Sequence, residues 1–242
     1  MRPKRWANME KTVSFWHRLF DLIAPRSCPI CGSRLGLDEK VICSSCNLRL
    51  PRTYYAARAY DNEMAKTFWR RIPIERAAAL FFYQPRSQVA EMVYQLKYRG
   101  HYEMGESMGE MTAKEFDEMG FFEGIDIILP IPLARKRQRQ RGYNQSVEIA
   151  RGVSKATGIA MRDDIVVRTA YHGSQINKDR WARLDNVENL FMLKNGAAVH
   201  GKHILLVDDI VTSGATVIAC GTELMKAEDV KISVLALGFT KT

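Results

Sequence analysis

Two adjacent carboxylates precede a loop of small and hydroxylated residues in the segment HILLVDDIVTSGATV, residues 203–217. Asp208 and Asp209 follow an apolar run, and carboxylates of this kind accept hydrogen bonds from ligand hydroxyls. The loop after them consists of Thr212, Ser213, Gly214, Ala215 and Thr216. A helix beginning near Ala215 would direct its N–H groups and the positive end of its dipole toward an anion. The segment therefore predicts a site for a ligand with vicinal hydroxyls and a phosphate, as in a ribose 5-phosphate.

Cysteines form a second cluster with the spacing of a metal site. Cys28 and Cys31 make one C-x2-C pair, and Cys43 and Cys46 make another after a gap of eleven residues. Two such pairs supply the tetrahedral sulfur set that zinc prefers, and four thiolates leave no open position for catalysis. The alternatives are a pair of disulfides, which a cytosolic protein disfavours, and free thiols present by chance. We therefore predict a structural zinc ribbon, and we predict that the isolated Cys220 is a core residue.

Basic residues are concentrated after a predicted strand in LPIPLARKRQRQRG, residues 129–142. They are Arg135, Lys136, Arg137, Arg139 and Arg141. Three interpretations stay open: a loop that binds an anionic ligand, a solvated basic surface, and a nucleic-acid patch. Lys97 and Arg99, in LKYRG, follow a predicted helix. They either close over the same ligand or form an ordinary basic helix end.

The whole chain has 242 residues, 46% of them hydrophobic, which is enough for one large domain or for one domain with a small appendage. Its formal charge is +9, from 36 basic and 27 acidic residues, and such an excess favours polyanionic partners. No apolar run approaches the roughly 18 residues that a membrane-spanning helix needs. Charged residues interrupt the apolar positions near the N-terminus, so we expect no signal peptide and a cytoplasmic protein.

Short apolar runs alternate with amphipathic segments from residue 77 onward, which predicts an α/β fold with a mostly parallel sheet covered on both faces. The expected strands lie at 77–83, 125–130, 164–169, 190–193, 203–208 and 231–239. The expected helices lie at 12–23, 87–97, 102–118, 144–157 and 214–227. In such a sheet, ligands bind at the carboxyl ends of the strands. A strand that ends at Val207 would therefore deliver Asp208 and Asp209 to the site.

The motif ILLVDDIVTSGAT resembles the phosphoribosyl pyrophosphate (PRPP) binding motif of type I phosphoribosyltransferases. Three further stretches, at 94–105, 129–146 and 168–191, are similar to the ComF family, as is the four-cysteine ribbon. The resemblance implies a type I phosphoribosyltransferase-like domain at 79–242. Before it would lie an N-terminal helix at 1–26, a zinc ribbon at 27–51 and a connecting or hood region at 52–78.

The resemblance also implies a reaction, in which a nitrogen nucleophile displaces pyrophosphate from PRPP with Mg2+ present. Asp208 and Asp209 would then be the catalytic pair, residues 212–216 the phosphate loop, and Lys97, Arg99, Arg135, Arg137 and Arg141 the pyrophosphate side. The ComF resemblance further implies a role in bacterial competence. The alternative is a non-catalytic protein that senses PRPP or binds single-stranded DNA, with protein partners in the competence machinery. The sequence names neither the acceptor nor a general base, and it leaves the oligomeric state open.

Overall fold

The computed structural model describes residues 26–98, 102–169 and 190–241. The helix predicted at 12–23 lies outside these ranges, as does most of the 168–191 stretch. The chain divides into two compact units, residues 1–49 and residues 50–242. The four domain boundaries drawn from the sequence stay predictions. Within the described ranges, no helix is both long and apolar enough to span a membrane.

The first unit is built from two cysteine knuckles and a short helix, α1 (Ser44–Arg49). At the first knuckle, the N–H of Gly32 donates to the Cys28 carbonyl at 2.8 Å, with Gly32 in the left-handed region at φ 73. Glu39 braces the loop between the knuckles, because its carboxylate accepts from the N–H groups of Gly36 and Ser44. These hydrogen bonds lower the pKa of Glu39 to about 2. The bond from the Gly36 N–H has the largest effect, and those from Ser44 lower the pKa further.

The second unit contains a five-stranded, fully parallel sheet in the order β1-β7-β6-β2-β3. Its strands are β1 (Arg76–Phe82), β2 (Ile127–Pro130), β3 (Ala160–Met161), β6 (His203–Val211) and β7 (Lys231–Phe239). A separate antiparallel pair is formed by β4 (Val166–Arg168) and β5 (Phe191–Leu193). β7, which follows β6 in the chain, lies on one side of β6 in the sheet. β2 and β3, which come earlier in the chain, lie on the other side. The topological switch point therefore falls between β6 and β2.

Helices cover the sheet. They are α2 (Glu63–Phe68), α3 (Gln88–Tyr98), α4 (Tyr102–Asp117), α5 (Arg135–Arg141), α6 (Gln145–Thr157) and α7 (Ala215–Leu224). Residues 204–207 of β6 are all 0% exposed, so both faces of the central strand are covered. α6 packs on β2 and β6, α4 packs on α6, and α7 packs on β6 and on the β4–β5 pair. The predicted parallel-sheet α/β fold is confirmed.

Three parts of the fold differ from the sequence-based expectation. The basic segment at 135–141 is a helix rather than a loop, ended by Gly142 at φ 81 with its N–H on the Gln138 carbonyl. Residues 52–78, which showed no clear period, contain α2, whose N-cap Asn62 accepts from the Ala65 N–H. The runs at 164–169 and 190–193 are strands, but they pair with each other outside the main sheet.

α4 and α6 pack with their backbones in contact. A Cβ atom added at Gly152 would lie 1.9 Å from the Glu106 carbonyl oxygen, and one at Gly109 would lie 2.1 Å from that of Ile149. Lys155 strengthens the contact by bridging Glu106 at 2.5 Å and Glu110 at 2.6 Å. Because backbone atoms cannot move aside as a flexible side chain can, these glycines fix the distance between the two helices.

We expect Gly152→Ala to destabilise the protein by about 2 kcal/mol, since an overpacking cost of about 3 kcal/mol is offset by about 1 kcal/mol of helix propensity. The free energy of unfolding in urea measures this change. Gly196→Ala is the matched control, because its Cβ would meet only the end of the Leu193 side chain at 3.3 Å. Equal stabilities for the two variants would contradict the close backbone packing.

Candidate functional site

The acidic pair lies within β6 and not after its end. Asp208 pairs in register with Ala236 of β7, and the strand continues to Val211. The prediction that the strand stops at Val207 is therefore wrong. The neighbouring strand β2 does end at this level of the sheet: its last residue, Pro130, pairs with Val207. The carboxylates thus lie beside the open edge left by β2, at the switch point where α/β proteins bind ligands.

Asp208 is held by α6 and by its own strand. The Ser146 hydroxyl donates to Asp208 Oδ1 at 3.1 Å, and the Asp209 N–H donates to the same atom at 2.9 Å. Ser146 is the second residue of α6 and is buried, so it fixes the carboxylate from the helix start. Burial of the carboxyl group, and next the neighbouring charge of Asp209, raise the pKa of Asp208 to about 7. A site cation would favour its ionised form.

Asp209 forms an ion pair with a residue of helix α3. Its Oδ2 lies 2.9 Å from Lys97 Nζ, near the C-terminal end of α3. The side chains are only 14% and 21% exposed. Asp209 Oδ1 also accepts from the Ile210 N–H at 2.7 Å. Lys97, a candidate from the sequence, is therefore in contact with the predicted catalytic pair.

The loop at 212–216 connects β6 to α7 and offers unused donors. Thr212 and Ser213 are exposed, and Gly214 adopts φ 72 as the residue before α7. Within the described ranges, the N–H groups of these five residues donate no hydrogen bond to the protein. A loop of free N–H groups at a helix start is suited to bind a phosphate.

Gly214 is constrained by packing as well as by its dihedral angles. A Cβ atom there would lie 2.8 Å from Phe68 Cε1 and 3.0 Å from Thr67 Cγ2. α2 therefore supports the loop from behind. A larger residue at Gly214 would disturb α2 whether or not a phosphate binds.

The basic candidates are divided between two places. Arg135 and Arg137 are exposed on α5, and the structure shows no contact between them and the acidic pair. Arg141 Nη1 donates to Gln145 Oε1 at 2.7 Å, and its guanidinium lies 5.3 Å from the centre of the Tyr98 ring. Arg99 lies outside the described residues.

Two residues near this site were missed by sequence reasoning. Ser146 gave no signal beyond the ComF-like stretch that contains it. Arg168, the last residue of β4, stacks on Phe191 with 5.2 Å between the guanidinium and the ring centre. Burial lowers the pKa of Arg168, Arg137 lowers it further, and the charge of Asp208 opposes the shift. In the sequence, Arg168 was only a cation near the end of a predicted strand and the first residue of the ComF-like stretch at 168–191.

The four predicted cysteines come together in the first unit. The sulfur atoms of Cys28, Cys31, Cys43 and Cys46 all lie within 4.8 Å of one another. Ligands of a tetrahedral zinc with Zn–S of about 2.3 Å are about 3.8 Å apart, and the Cys31 and Cys43 sulfurs are separated by 3.6 Å. The Cys43 N–H points at the Cys28 sulfur, 3.5 Å away. All four are free thiols, so the cluster fits a metal ion and not disulfides.

The remaining cysteine lies apart. Cys220 is 0% exposed in α7, as predicted for a core residue. Burial raises the pKa of its thiol, which makes it a poor nucleophile.

Comparison with known families agrees with this geometry. The family model of the phosphoribosyl transferase domain matches residues 110–239, which include α6, β6, the acidic pair and the 212–216 loop. The chain belongs to the phosphoribosyl transferase domain family. Since the match spans more than half of the 242 residues, the fold predicted for the second unit is the family fold.

Three relatives extend the similarity. The chain is 24% identical over 213 residues to DNA utilization protein YhgH of Escherichia coli, covering 87% of this chain and 88% of the relative. It is 25% identical to competence protein ComFC of Bacillus subtilis, covering 83% and 79%. It is 34% identical to competence protein F of Haemophilus influenzae over 94 residues, covering 38% and 40%. The resemblance to the ComF family is thereby confirmed.

Solved structures show weaker likenesses. The glutamine PRPP amidotransferase of B. subtilis matches with a TM-score of 0.36 and 22% identity, over 54% of this chain and 25% of that one. The adenine phosphoribosyltransferase of Leishmania tarentolae matches with a TM-score of 0.36 and 9% identity, over 74% and 88%. At this level they add nothing to the assignment, which stands on the family match and the sheet topology.

Proposed function

We propose that the second unit binds PRPP with Mg2+ at the carboxyl end of β6. One observation carries this: a single strand–loop–helix segment presents the acidic pair and a loop with free N–H groups at the switch point. The ribose hydroxyls would donate to Asp208 and Asp209, and the 5-phosphate would accept from residues 212–216. One five-carbon sugar phosphate satisfies both sets of groups, whereas an isolated phosphate would leave the carboxylates unused.

Mg2+ fits the oxygen donors of this site and, when bound, would neutralise pyrophosphate oxygens. The protein's own residues would orient the ribose and stabilise the leaving pyrophosphate. Asp208, braced by Ser146, would orient the ribose and stabilise positive charge that develops at C1. Lys97 lies near enough to the pair to reach a pyrophosphate, and Arg141 lies next to the same turn of α3. Cationic donors there would stabilise the leaving pyrophosphate.

We propose further that the protein is a phosphoribosyltransferase, in which the C1–O bond to pyrophosphate breaks and a C1–N bond to the acceptor forms. The match of residues 110–239 to the phosphoribosyl transferase domain supports this activity. The test is release of pyrophosphate from PRPP across a panel of bases and amines. Failure with every acceptor, with PRPP still bound, would favour the sensing alternative.

For the first unit we propose a structural zinc ion held by the four cysteines. Burial chiefly, and also the neighbouring sulfurs, raise the pKa of Cys46. Four thiolates can therefore coexist here only when a cation neutralises them. Free thiols suit a reducing compartment, and we propose that the protein acts in the cytoplasm.

A second function, binding of single-stranded DNA, is favoured by an aromatic and basic surface. We call Tyr94, Tyr98 and helix α5 the α3–α5 surface. The tyrosine rings are 48% and 59% exposed and lie 5.0 Å apart, with Arg141 next to Tyr98. α5 carries five basic residues and no acidic one. Exposed rings with cations are suited to stack bases and neutralise phosphates. The relatives' names, DNA utilization protein and competence protein, support a role in handling DNA during competence, and we propose that proteins of that machinery are its partners.

If this surface binds single-stranded DNA, its affinity should fall steeply with salt, because neutralised phosphates release counterions. Reversing Arg137 and Arg139 to Glu should weaken binding by roughly tenfold or more at low salt, whatever the DNA sequence. Fluorescence anisotropy with a labelled oligonucleotide measures both effects. Lys114→Glu with Lys231→Glu is the control, since it makes the same charge change at exposed sites away from α5. Equal losses in both variants would assign binding to net charge and not to this surface.

A further inference from the structure

The ion pair between Lys97 and Asp209 occupies one of the two carboxylates that the proposed ribose site needs. Lys97 Nζ is 2.9 Å from Asp209 Oδ2, at less than a quarter exposure for either side chain. Water and salt screen such a pair much less than a surface pair. A ligand that takes the Asp209 carboxylate would therefore separate two charges that are largely desolvated.

The backbone that carries Lys97 is held on both sides. The Tyr143 hydroxyl donates to the carbonyl of Leu96, the preceding residue. Tyr98, the following residue, packs against Tyr94 and lies under the Arg141 guanidinium. The last turn of α3 is thus fixed, and only the Lys97 side chain has to move for Asp209 to be freed.

The cost of breaking the pair depends on what the ligand gives Lys97 in return. Ribose 5-phosphate would place its phosphate in the 212–216 loop and its hydroxyls on the carboxylates, which leaves the ammonium without an anion. Leaving one partner of a buried pair uncompensated is strongly unfavourable. PRPP carries a pyrophosphate on C1, next to the hydroxyls, and so supplies a new anion close to the one that Lys97 loses.

We propose that Lys97 is a specificity-determining residue that makes the site selective for PRPP over ribose 5-phosphate. The Lys97–Asp209 pair closes the ribose subsite until a ligand offers a second anion to the lysine. The proposal rests on the proposed PRPP binding and adds to it the discrimination between a substrate and the sugar phosphate that lacks its leaving group.

Calorimetry with Lys97→Met tests this, using PRPP and ribose 5-phosphate, each with Mg2+. The variant keeps a long side chain but removes the charge. We expect PRPP to bind about tenfold more weakly, because a charge-assisted contact is lost, and ribose 5-phosphate to bind roughly threefold more tightly, because no pair has to be broken. The preference for PRPP should thus fall about thirtyfold.

Two further variants make the result decisive. Lys114→Met removes an exposed lysine of α4 and should keep the wild-type preference. Lys97→Gln repeats the test with a polar side chain should Lys97→Met lose stability in thermal unfolding. Equal weakening of both ligands by Lys97→Met, or an unchanged preference, would overturn the proposal while PRPP binding stood. A wild-type protein that binds neither ligand would instead contradict the proposed function itself.

Discussion

Replacing Cys43 with serine is expected to remove the bound metal and unfold the ribbon. Serine keeps the shape but lacks a thiolate, and within residues 26–49 only Leu35 and Ile42 are buried besides three of the cysteines. Apparent zinc-binding energies of about 10–16 kcal/mol in small ribbons are folding energies, so the unit should not survive the loss. Native mass spectrometry should show one zinc in the wild type and none in the variant.

The control for this change is Cys220→Ser, which alters a cysteine outside the cluster and should leave the zinc in place. Proteolysis should cut Cys43→Ser within residues 26–49, while the described residues of the second unit, 50–98, 102–169 and 190–241, stay protected. A wild-type protein that is well folded and free of metal would contradict the zinc ribbon.

The double variant Asp208→Asn with Asp209→Asn should lose at least about a hundredfold of its affinity for PRPP in the presence of Mg2+. Two charge-assisted hydrogen bonds, each of about 1.5–3 kcal/mol, would be lost, while side-chain size stays the same. Affinity without Mg2+ should change less, because the share of the carboxylates' contribution that depends on the cation is then already absent. Equal losses with and without Mg2+ would argue against a carboxylate role in the cation-dependent step.

The same site predicts a pH dependence. The pKa of Asp208 is raised to about 7, so a large share of these carboxyl groups is protonated below neutrality. A ligand that prefers the ionised form of Asp208 should bind more tightly as pH rises from 6 to 8. Its binding should release protons from the protein, and the buffer takes them up. The double Asn variant should lose this part of the dependence. Calorimetry in buffers of different ionisation enthalpy measures the released protons.

The sequence predicted the parallel sheet because its strands are buried on both faces, which leaves continuous apolar runs such as residues 203–207. It could not predict that β6 continues through Asp208 and Asp209, since charged residues are depleted in strands. The extension is stabilised by pairing with β7, a long-range contact. The helix at 135–141 was missed because its arginines and glutamines show no apolar period, although each favours helix.

The candidate site was predictable where neighbouring residues act together, as in the 208–216 segment and in the two C-x2-C pairs. It was not predictable where distant elements meet. Ser146 contacts Asp208 across 62 positions, and α2 packs behind Gly214. The Lys97–Asp209 pair likewise joins α3 to β6, and the sequence placed Lys97 near pyrophosphate without indicating which carboxylate it contacts. Such contacts depend on the topology of the sheet, which local patterns do not specify.

Calorimetric titration of the wild-type protein with PRPP in the presence of Mg2+ tests the central claim most directly. The account predicts saturable binding at one site per chain, weakened when Mg2+ is withheld and weakened further by the double Asn variant. Ribose 5-phosphate should bind at the same site with lower affinity. A wild-type protein that binds neither ligand at millimolar concentration would contradict the assignment of the acidic pair and the 212–216 loop to PRPP.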